Sequence, residues 1–431
     1  MTERTVRVDY LARVEGEGAF RLRMTGGRVE EAELRIFEPP RFFEAFLKGR
    51  SYAEAPDITA RICGICPVAY QMSSTQAMER ALGLRVDPAL KDLRRLLYCG
   101  EWIESHALHI YLLHAPDFLG YPDAIRLAKD HPEAVARGLA LKKAGNAVLE
   151  TLGGRSVHPI NVRVGGFYRV PTREEMDRLR SVLSGALAEA EETVRFVSGF
   201  PFPPVEEDYE FVALASPDEY PLGEGTVTSS AGFTVPPERF EEVFEESQVP
   251  YSHALQSHRR KAGAYLVGPL ARYALNHDRL TPRVRQAARD AGLPPVVRNP
   301  DQSIVVRALE VLYAVEEGLR LAEAYRVPPR PAVEMPDVVP AAEGVGITEA
   351  PRGMLYHRYR LGEGGIIQEA RIVAPTSQNQ ARIEEDLRHL AERTPDLDEA
   401  RLTSALEHAI RNHDPCISCA THFLKLDLVR Q

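Results

Sequence analysis

The 431-residue sequence lacks an apolar run approaching the ~20 residues that cross a bilayer, so we expect no membrane-spanning helix. It also lacks an excess of basic residues. Its 53 Lys and Arg stand against 62 Asp and Glu, a formal net charge of −9, so nucleic-acid binding is not expected. The first residues, MTERTVRVDY, lack the features of a signal peptide, and we expect a soluble cytoplasmic protein. A chain exported with a partner that carries the signal would have the same start.

Cysteine is scarce, which argues against a disulfide framework. The five cysteines are an odd number in a large acidic chain. Cys99 stands alone in a helical pattern and is interpreted as a small buried hydrophobic residue. Internal repeats are absent, and no Gly-rich dinucleotide fingerprint follows a strand, so we expect no nicotinamide site in this chain.

The apolar pattern predicts a predominantly helical α+β fold, a large helical bundle with small β-sheets from the N-terminal and C-terminal regions. Alternating residues around Gly26-Gly27 predict an N-terminal hairpin. Thr172 and Glu175 form a capping box that opens a long helix. Helical spacing is found in 89–114, 132–152, 172–197, 236–247, 303–325, 377–393 and 397–412. We predict one unit, 1–431, composed of a β region at 1–38, a mainly helical body at 39–325, a loop, hairpin and metal-ligand segment at 326–422, and a removable extension at 423–431.

The segment 326–353 is rich in Pro and Gly and has no regular apolar period, so it is predicted to be a loop or an extended crossing. The segment 356–375 that follows is predicted to form a hairpin turning at 362–365.

Four cysteines form two Cys-x-x-Cys pairs, Cys63 with Cys66 in RICGIC and Cys416 with Cys419 in DPCISCATH. This spacing at a helix start suits two thiolates that chelate one metal. A redox dithiol, a structural zinc bound by all four thiolates, and a catalytic thiolate-bound metal are the competing interpretations. Zinc sites usually close short loops, whereas these pairs lie near opposite ends of the chain. Thiolates select soft metals, among them copper, zinc, iron–sulfur clusters and nickel.

Five further motifs occur in order along the chain, RVEGEG at 13–18, FFEAFLKGR at 42–50, SHALHIYLLH at 105–114, GGRSVHP at 153–159 and EAPRG at 349–353. Together with the two cysteine pairs, they resemble the large subunit of nickel–iron hydrogenases over essentially the whole sequence.

The resemblance implies two metal sites. Nickel would be held by all four paired cysteines, Cys63 and Cys416 as terminal ligands and Cys66 and Cys419 as bridges to an iron that carries cyanide and carbon monoxide. A magnesium or iron site would be formed by three further groups, the side chains of Glu44 and His422 and the backbone carbonyl of Ile372.

The resemblance also implies the reaction, the reversible heterolytic cleavage of dihydrogen, and the catalytic residues. Cys416 would be the first proton acceptor and Glu15 the proton-transfer carboxylate. Arg352, anchored by Asp414, would lie beside the open metal position and would polarise and orient dihydrogen there. Two residues would bind the cofactor, Pro351 next to this arginine and Thr376, which would hydrogen-bond a cyanide ligand.

Two positions depart from the pattern of the family, Tyr70 where histidine is frequent and Ser105 where aspartate is frequent. Both would alter hydrogen bonding around the metal without removing a ligand. The short length and the PVAYQ segment resemble cytoplasmic coenzyme-linked members and sulfhydrogenase alpha subunits.

Partners are expected because only Cys99 is left once one site has used four cysteines. An iron–sulfur cluster generally needs about four protein ligands, so the electrons would pass to an iron–sulfur small subunit. Coenzyme-reducing subunits for nicotinamide or deazaflavin, a maturation protease and nickel-insertion proteins are the further partners implied. The protease would cut between His422 and Phe423. Two rivals lack this chemistry, a metal-free relative such as the quinone-site subunit of respiratory complex I, and a zinc-stabilised scaffold. Metal analysis separates them.

Overall fold

Helices dominate the computed structural model, which describes residues 3–422. The α-helices are α1 (Phe43–Leu47), α2 (Ala55–Thr59), α3 (Pro67–Ala81), α4 (Pro88–Leu108), α5 (Ala115–Leu119), α6 (Ala124–Asp130), α7 (Pro132–Gly153), α8 (Arg173–Ser198), α9 (Phe240–Val243), α10 (Pro269–Asn276), α11 (Pro282–Asp290), α12 (Ser303–Ala324), α13 (Pro375–Arg393), α14 (Glu399–Asn412) and α15 (Ile417–Ala420). A π-helix (His109–His114) continues α4 directly.

The strands form small separate antiparallel sheets. They are β1 (Glu3–Val8), β2 (Gly18–Thr25), β3 (Arg28–Ile36), β4 (Val162–Arg163), β5 (Gly166–Phe167), β6 (Val212–Ala215), β7 (Thr226–Ser229), β8 (Thr234–Val235), β9 (Phe244–Gln248), β10 (Leu255–Arg259), β11 (Ala342–Ala350), β12 (Gly353–Leu361) and β13 (Ile367–Val373). Three-stranded sheets have the orders β1-β2-β3, β6-β7-β8 and β11-β12-β13, and β4-β5 and β9-β10 are two-stranded. The predicted predominantly helical α+β class is confirmed.

The N-terminal sheet follows from its alternating sequence. Strand β2 pairs with β3 across Gly26-Gly27, as predicted, with Phe20 opposite Leu34. Because side chains alternate between the faces of a strand, one face of this sheet is apolar. That face packs on α13 and α14, whose apolar residues share its core. The sheet is thereby placed against the C-terminal region.

The helical body is built around α4, α7, α8 and α12. Helices α4 and α7 approach closely because glycines lie at their contact. A Cβ on Gly145 would be 2.6 Å from the carbonyl oxygen of Gly100. The capping box of α8 is present, with the Thr172 side chain accepting from the Glu175 N–H and the Glu175 side chain accepting from the Thr172 N–H. The largest apolar cluster extends from Leu47 to Cys419 and includes all five cysteines.

Two predicted segments differ in the structure. The segment 326–353, predicted to be a loop or an extended crossing, contains the paired strand β11, which lacks an alternating pattern because nearly all of its residues are buried. The predicted helix 236–247 is mostly replaced by a 3₁₀ turn, the single turn α9 and strand β9, which pairs with β10. Phe244, at the start of β9, packs against Phe240 and Tyr265, so tertiary contacts override a helical pattern rich in glutamate.

The middle of the chain also contributes sheets, whereas the sequence predicted sheets only from its two ends. The strands β4 to β10 are short, which weakens their alternation signal. Within residues 3–422, no helix combines the length and apolar composition required to cross a membrane.

Candidate metal centre

The two cysteine pairs, 353 residues apart in sequence, meet inside the protein. Cys63 follows a 3₁₀ turn and Cys66 is the N-cap of α3. Cys416 is the N-cap of α15 and Cys419 lies within it. The four Sγ atoms all lie within 4.8 Å of one another, and all four residues are buried.

Individual sulfur distances show how closely the pairs face each other. Sγ of Cys63 is 3.4 Å from Sγ of Cys416, and Sγ of Cys66 is 3.6 Å from Sγ of Cys419. The sulfur atoms of Cys416 and Cys419 are 2.7 Å apart, well beyond the ~2.05 Å of a disulfide. Four unbonded buried thiols are a soft donor set and fit a soft metal centre, zinc and nickel included.

The backbone and the neighbouring thiols favour thiolate at Cys63. The N–H groups of Ile65 and Cys66 both donate to its Sγ at 3.3 Å. Hydrogen bonds from the other three cysteines, led by Cys416, lower the pKa of Cys63 well below its usual range. Burial instead raises the pKa of Cys416.

Glu15 reaches the same cluster from the N-terminal region. Its backbone carbonyl accepts from the Ile417 N–H at 2.9 Å. Its Oε2 lies 3.0 Å from Sγ of Cys416 and accepts from the Ser418 N–H at 3.1 Å. Burial, followed by the nearby Cys63, raises the pKa of Glu15 above its usual range. A carboxylate with a raised pKa that contacts a thiol is suited to proton exchange.

Arg352 and Asp414 form a buried ion pair beside the cysteines. Nε of Arg352 donates to the Asp414 carbonyl at 2.8 Å, and Nη2 donates to Oδ1 of Asp414 at 3.1 Å. Nη1 donates to Oγ of Ser105 at 3.3 Å. Burial alone would lower the pKa of Arg352, but Asp414 and the cysteines raise it, so the arginine stays charged. Asp414 has a left-handed φ of 51°, which aspartate tolerates better than most residues.

Thr376 and Pro351 lie in the surrounding shell. Oγ1 of Thr376 accepts from the Cys416 N–H at 2.9 Å. The carbonyl of Pro351 accepts from Arg272 at 2.8 Å, which fixes the backbone that precedes Arg352. The sequence analysis assigned both residues to cofactor binding. In the structure Thr376 contacts the backbone of Cys416, and Pro351 contacts the buried Arg272.

Glu44, Ile372 and His422 come together in a second group, in which Ile372 and His422 are buried and Glu44 is partly buried. Oε1 of Glu44 accepts from the Ile372 N–H at 2.7 Å and lies 3.8 Å from Nε2 of His422. The two ring nitrogens of His422 face the carbonyls of Cys419 at 2.6 Å and Ile372 at 2.5 Å. A neutral imidazole has one N–H and satisfies only one of them. A cation between Nε2, the Ile372 carbonyl and Glu44 would satisfy the group, so these residues fit a metal site.

The structure also shows the surroundings of Ser105 and Tyr70, the two positions that depart from the pattern of the family. Ser105 receives a hydrogen bond from Arg352, as described above. Tyr70 is buried in α3, and its hydroxyl has no hydrogen-bond partner among residues 3–422. Burial, and then the nearby cysteines, raise the pKa of this hydroxyl well above its usual range.

Two positioning residues were missed from the sequence. Glu101 accepts from the N–H groups of Val68 at 2.6 Å and Ala69 at 3.1 Å, and so caps the helix that begins after Cys66. Arg41 donates to the carbonyls of Ile62, at 2.6 Å, and Ser418, and so ties the two cysteine segments together. Neither contact has a sequence signal, because each joins residues far apart in the chain.

Comparison with known proteins gives consistent similarities. The family model of nickel-dependent hydrogenase matches residues 41–146 and 238–422, together more than half of the chain. Sulfhydrogenase 2 subunit alpha of Pyrococcus furiosus is 34% identical over 423 residues, covering 98% of this chain and 100% of that protein. Sulfhydrogenase 1 subunit alpha of the same organism is 33% identical over 427 residues, covering 98% of each chain.

Solved structures are similar over the same extent. An NAD⁺-reducing nickel–iron hydrogenase in the H2-reduced state superposes with a TM-score of 0.87 at 29% identity, covering 97% of this chain and 99% of that one. A nickel–iron–selenium hydrogenase from D. vulgaris Hildenborough, at 23% identity, has a TM-score of 0.79 over 98% of this chain and all of its own, a likeness of fold.

Proposed function

This chain belongs to the nickel-dependent hydrogenase family as a large, catalytic subunit, and we propose that it cleaves dihydrogen reversibly and heterolytically at a nickel–iron centre. The observation that carries the proposal is the meeting of four buried cysteines, within 4.8 Å, beside Glu15 and Arg352. Cys63 and Cys416 are the proposed terminal nickel ligands, and Cys66 and Cys419 the proposed bridging ligands.

When bound, nickel and an iron with cyanide and carbon monoxide ligands would supply the polarisation of dihydrogen and the uptake of its electrons. The protein residues handle the proton. Cys416 is the proposed first acceptor, and its Sγ lies 3.0 Å from Oε2 of Glu15, a direct hydrogen-bond distance for sulfur. The raised pKa of Glu15 favours its protonated form, so it can take a proton from the thiol and pass it on.

Arg352 has a different proposed role, because a guanidinium buried beside carboxylate and thiolates does not readily release its proton. It donates three hydrogen bonds, two to Asp414 and one to Ser105, so its charge has a fixed position. It would orient and polarise dihydrogen. Thr376 and Pro351 are the proposed cofactor-binding residues, and Thr376 would hydrogen-bond a cyanide ligand.

Glu44, His422 and the Ile372 carbonyl are the proposed ligands of a magnesium or iron ion. The ion would join α1, β13 and the C-terminal segment, since each contributes one ligand. Carboxylate and carbonyl oxygens suit magnesium. Its role would be to hold the segment that carries Cys416 and Cys419 in place.

The proposed partner is an iron–sulfur small subunit that receives the electrons, because Cys99 is the one cysteine outside the cluster and is itself buried. The named relatives are alpha subunits of sulfhydrogenases, and an NAD⁺-reducing hydrogenase has the same fold. These similarities support a cytoplasmic, coenzyme-linked complex with further nicotinamide- or deazaflavin-reducing subunits. Nickel-insertion proteins and a maturation protease are proposed for its assembly.

Metal content and hydrogen uptake test the proposal. The purified complex should contain nickel and iron, and Cys63→Ser or Cys419→Ser should lose nickel and abolish uptake, because each removes a proposed ligand. Cys99→Ser is the matched control, since its sulfur is buried outside the four-cysteine cluster, and this variant should keep both its nickel and its hydrogen uptake. Zinc in place of nickel, or full uptake with Cys63 or Cys419 replaced, would contradict the assignment.

A further inference from the structure

The C-terminal cysteine pair lies on a short segment, residues 416–422, that we call the strap. Its other buried apolar residues, Ile417 and Ala420, belong to a small cluster with Ile36 and Ala254, apart from the large core of the helical body. Hydrophobic stabilisation is roughly proportional to the apolar area that is buried, so this cluster contributes little compared with the large core. The position of the strap therefore depends to a large extent on hydrogen bonds.

Glu38 provides several of these hydrogen bonds. Its Oε2 accepts from Oγ of Ser418 at 3.0 Å, and its Oε1 accepts from Oγ1 of Thr421 at 3.4 Å. Oε2 also accepts from the Glu17 N–H at 3.3 Å, so the carboxylate is tied to the N-terminal segment as well. Ser418 and Thr421 stand on either side of Cys419 in the sequence. Glu38 therefore holds the strap before and after a proposed bridging ligand.

Arg41 holds the same stretch of the strap through its carbonyl groups. The backbone N–H of Arg41 donates to the Thr421 carbonyl at 2.7 Å. Its Nη2 donates to the Ile62 carbonyl at 2.6 Å and to the Ser418 carbonyl. Because Ile62 directly precedes Cys63, the one guanidinium fixes the strap relative to the first cysteine pair.

Two prolines join these residues in the sequence EPPR, Glu38 to Arg41, which we call the clip. Proline fixes its own φ and restricts the residue before it, so Glu38, Pro39 and Pro40 have little conformational freedom to lose when the strap is bound. Oε1 of Glu38 and Nε of Arg41 are 3.6 Å apart, and a partly exposed ion pair of this kind contributes little by itself. The effect of the clip therefore arises from its contacts with the strap.

Two glycines of the RVEGEG motif make room for the strap and the clip together. A Cβ on Gly16 would lie 2.7 Å from Oε2 of Glu38 and 2.7 Å from Cβ of Ile417, and a Cβ on Gly18 would lie 2.7 Å from Cδ1 of Ile417. Gly16 also has a left-handed φ of 88°, which glycine adopts without strain. The N-terminal segment is thus shaped to receive the strap at the point where Glu38 contacts it.

We propose that the clip positions the C-terminal cysteine pair, with Glu38 and Arg41 holding the strap in place and thereby setting the spacing between the two cysteine pairs. Both residues act through the strap and not on the reacting atoms, so they are positioning residues. The inference rests on the site of the proposed function, but the hydrogen bonds of the clip do not depend on which metal the cysteines bind. Without the clip, the strap would open locally and expose the cysteines.

The test measures how readily iodoacetamide reaches each cysteine in the complete chain made without nickel, by mass spectrometry of the peptides. Alkylation of Cys416 and Cys419 should be at least about tenfold faster in Glu38→Ala, because the lost hydrogen bonds let the strap open more often. Cys99 lies in the core of the helical body and should react at an unchanged rate, which separates opening of the strap from unfolding. Glu17→Ala is the matched control, since its side chain is exposed, and should leave every rate within about twofold.

Further variants test whether Glu38 acts through direct hydrogen bonds. Glu38→Gln should bring both rates back to within about threefold of the unsubstituted chain, because an amide can accept from one hydroxyl and donate to the other. Ser418→Ala should also speed alkylation. Combined with Glu38→Ala, it should add at most about twofold to the effect of Glu38→Ala alone, because both changes remove the same contact.

Four results would each overturn the clip: unchanged alkylation in Glu38→Ala, equal acceleration at Cys99, no rescue by Glu38→Gln, or fully multiplicative effects of Glu38→Ala and Ser418→Ala. The metal content of the unsubstituted complex tests the proposed function separately. Zinc in place of nickel would overturn that function and would leave the alkylation rates, and with them the clip, unaffected.

Discussion

At the scale of single residues, burial determines which groups of the metal centre can carry a charge. The cysteines, Glu15, Arg352 and Asp414 are all largely removed from water, where an unpaired charge is costly. The ion pair of Arg352 and Asp414 gives each buried charge an opposite partner, and Oδ2 of Asp414 is left without a hydrogen bond among residues 3–422. Among residues 3–422, Glu15 has no cationic partner in direct contact, and burial raises its pKa, so it is the group beside the cysteines best able to change its protonation state.

Glu15→Gln should separate proton transfer from metal binding. Glutamine keeps an oxygen that can accept from the Ser418 N–H, so the fold and the nickel content should be retained. Exchange of dihydrogen with D2O should fall by at least about 100-fold, because the amide is not a base. Glu15→Asp should be milder, since it keeps a carboxylate.

The control for this prediction is Glu17→Gln, two residues away with an exposed side chain, which should leave exchange unchanged. Normal exchange in Glu15→Gln would show that another group carries most of the protons.

Arg352→Lys tests the need for a planar guanidinium. Lysine keeps the charge but cannot donate to the Asp414 carbonyl, the Asp414 carboxylate and Ser105 in the same fixed geometry. Turnover should fall by at least about tenfold, ~1.4 kcal/mol of barrier, with nickel retained. Arg360→Lys, at a largely exposed ion pair with Glu369, is the control. An unchanged rate in Arg352→Lys would assign Arg352 a purely structural role.

At the scale of elements, the position of Cys66 depends on how closely β11 lies against α3. Gly344 and Gly346 of β11 face this helix, and Cβ atoms there would be 2.0 Å from the Ala77 carbonyl oxygen and 2.1 Å from the Ser73 carbonyl oxygen. Only glycine fits such an approach of strand to helix. The same proximity buries β11 and hides its strand pattern in the sequence.

Gly346→Ala should therefore destabilise the protein and disturb the metal site. The new methyl group overlaps the Ser73 carbonyl and would push α3, with Cys66 at its start, away from β11. We expect a loss of at least about 1–3 kcal/mol of unfolding free energy and reduced nickel content. Thermal unfolding and metal analysis measure these effects.

Gly185→Ala is the matched control, because a Cβ at this position of α8 meets nothing within 4 Å. It should be neutral or stabilise the helix by up to ~1 kcal/mol. Unchanged stability and nickel content in Gly346→Ala would show that the helix and strand tolerate separation.

At the scale of the whole molecule, the centre is assembled by the meeting of the two ends of the chain. The N-terminal sheet shares an apolar core with α13 and α14, Arg41 spans both cysteine segments, and Glu15 pairs with Ile417. His422 is itself buried, in contact with Ile372. Closure of the C-terminal segment and loading of metal are thus expected to be coupled, as in other metal sites that form on folding.

The predicted removal of 423–431, a segment outside the described residues, belongs to this scale. Intact mass should show that nickel-loaded, active protein ends at His422, because the family resemblance implies a nickel-dependent protease that removes the extension after this histidine. Protein made without nickel should keep the nine residues and be inactive. Protein expressed from a gene that stops after His422 lacks the segment 423–431 from the start. Its nickel content shows whether the segment is needed for nickel loading. An active, nickel-containing chain that still ends at Gln431 would contradict the proposal.

The sequence determined the elements whose signals are local. Helices α4, α8, α12, α13 and α14 and the hairpins at Gly26-Gly27 and at 362–365 were predictable because each displays its own periodicity, cap or turn. The ordered motifs likewise identified the family, and with it the four cysteines. Sequence spacing alone left zinc, redox and catalytic-metal interpretations open, since any of them can use paired cysteines.

Tertiary structure decided what depends on contacts between distant residues. Residues 342–350, predicted to be part of a loop or an extended crossing, form the buried strand β11. Most of 236–247, predicted to be a helix, forms a turn and β9, because burial and strand pairing override local propensity. Tertiary structure also brought Glu101 to the start of α3, Arg41 between the cysteine segments, and His109 onto His114 through a π-helix. Such contacts leave no periodic trace in the sequence, because the free energy that fixes them arises only when separate segments pack together.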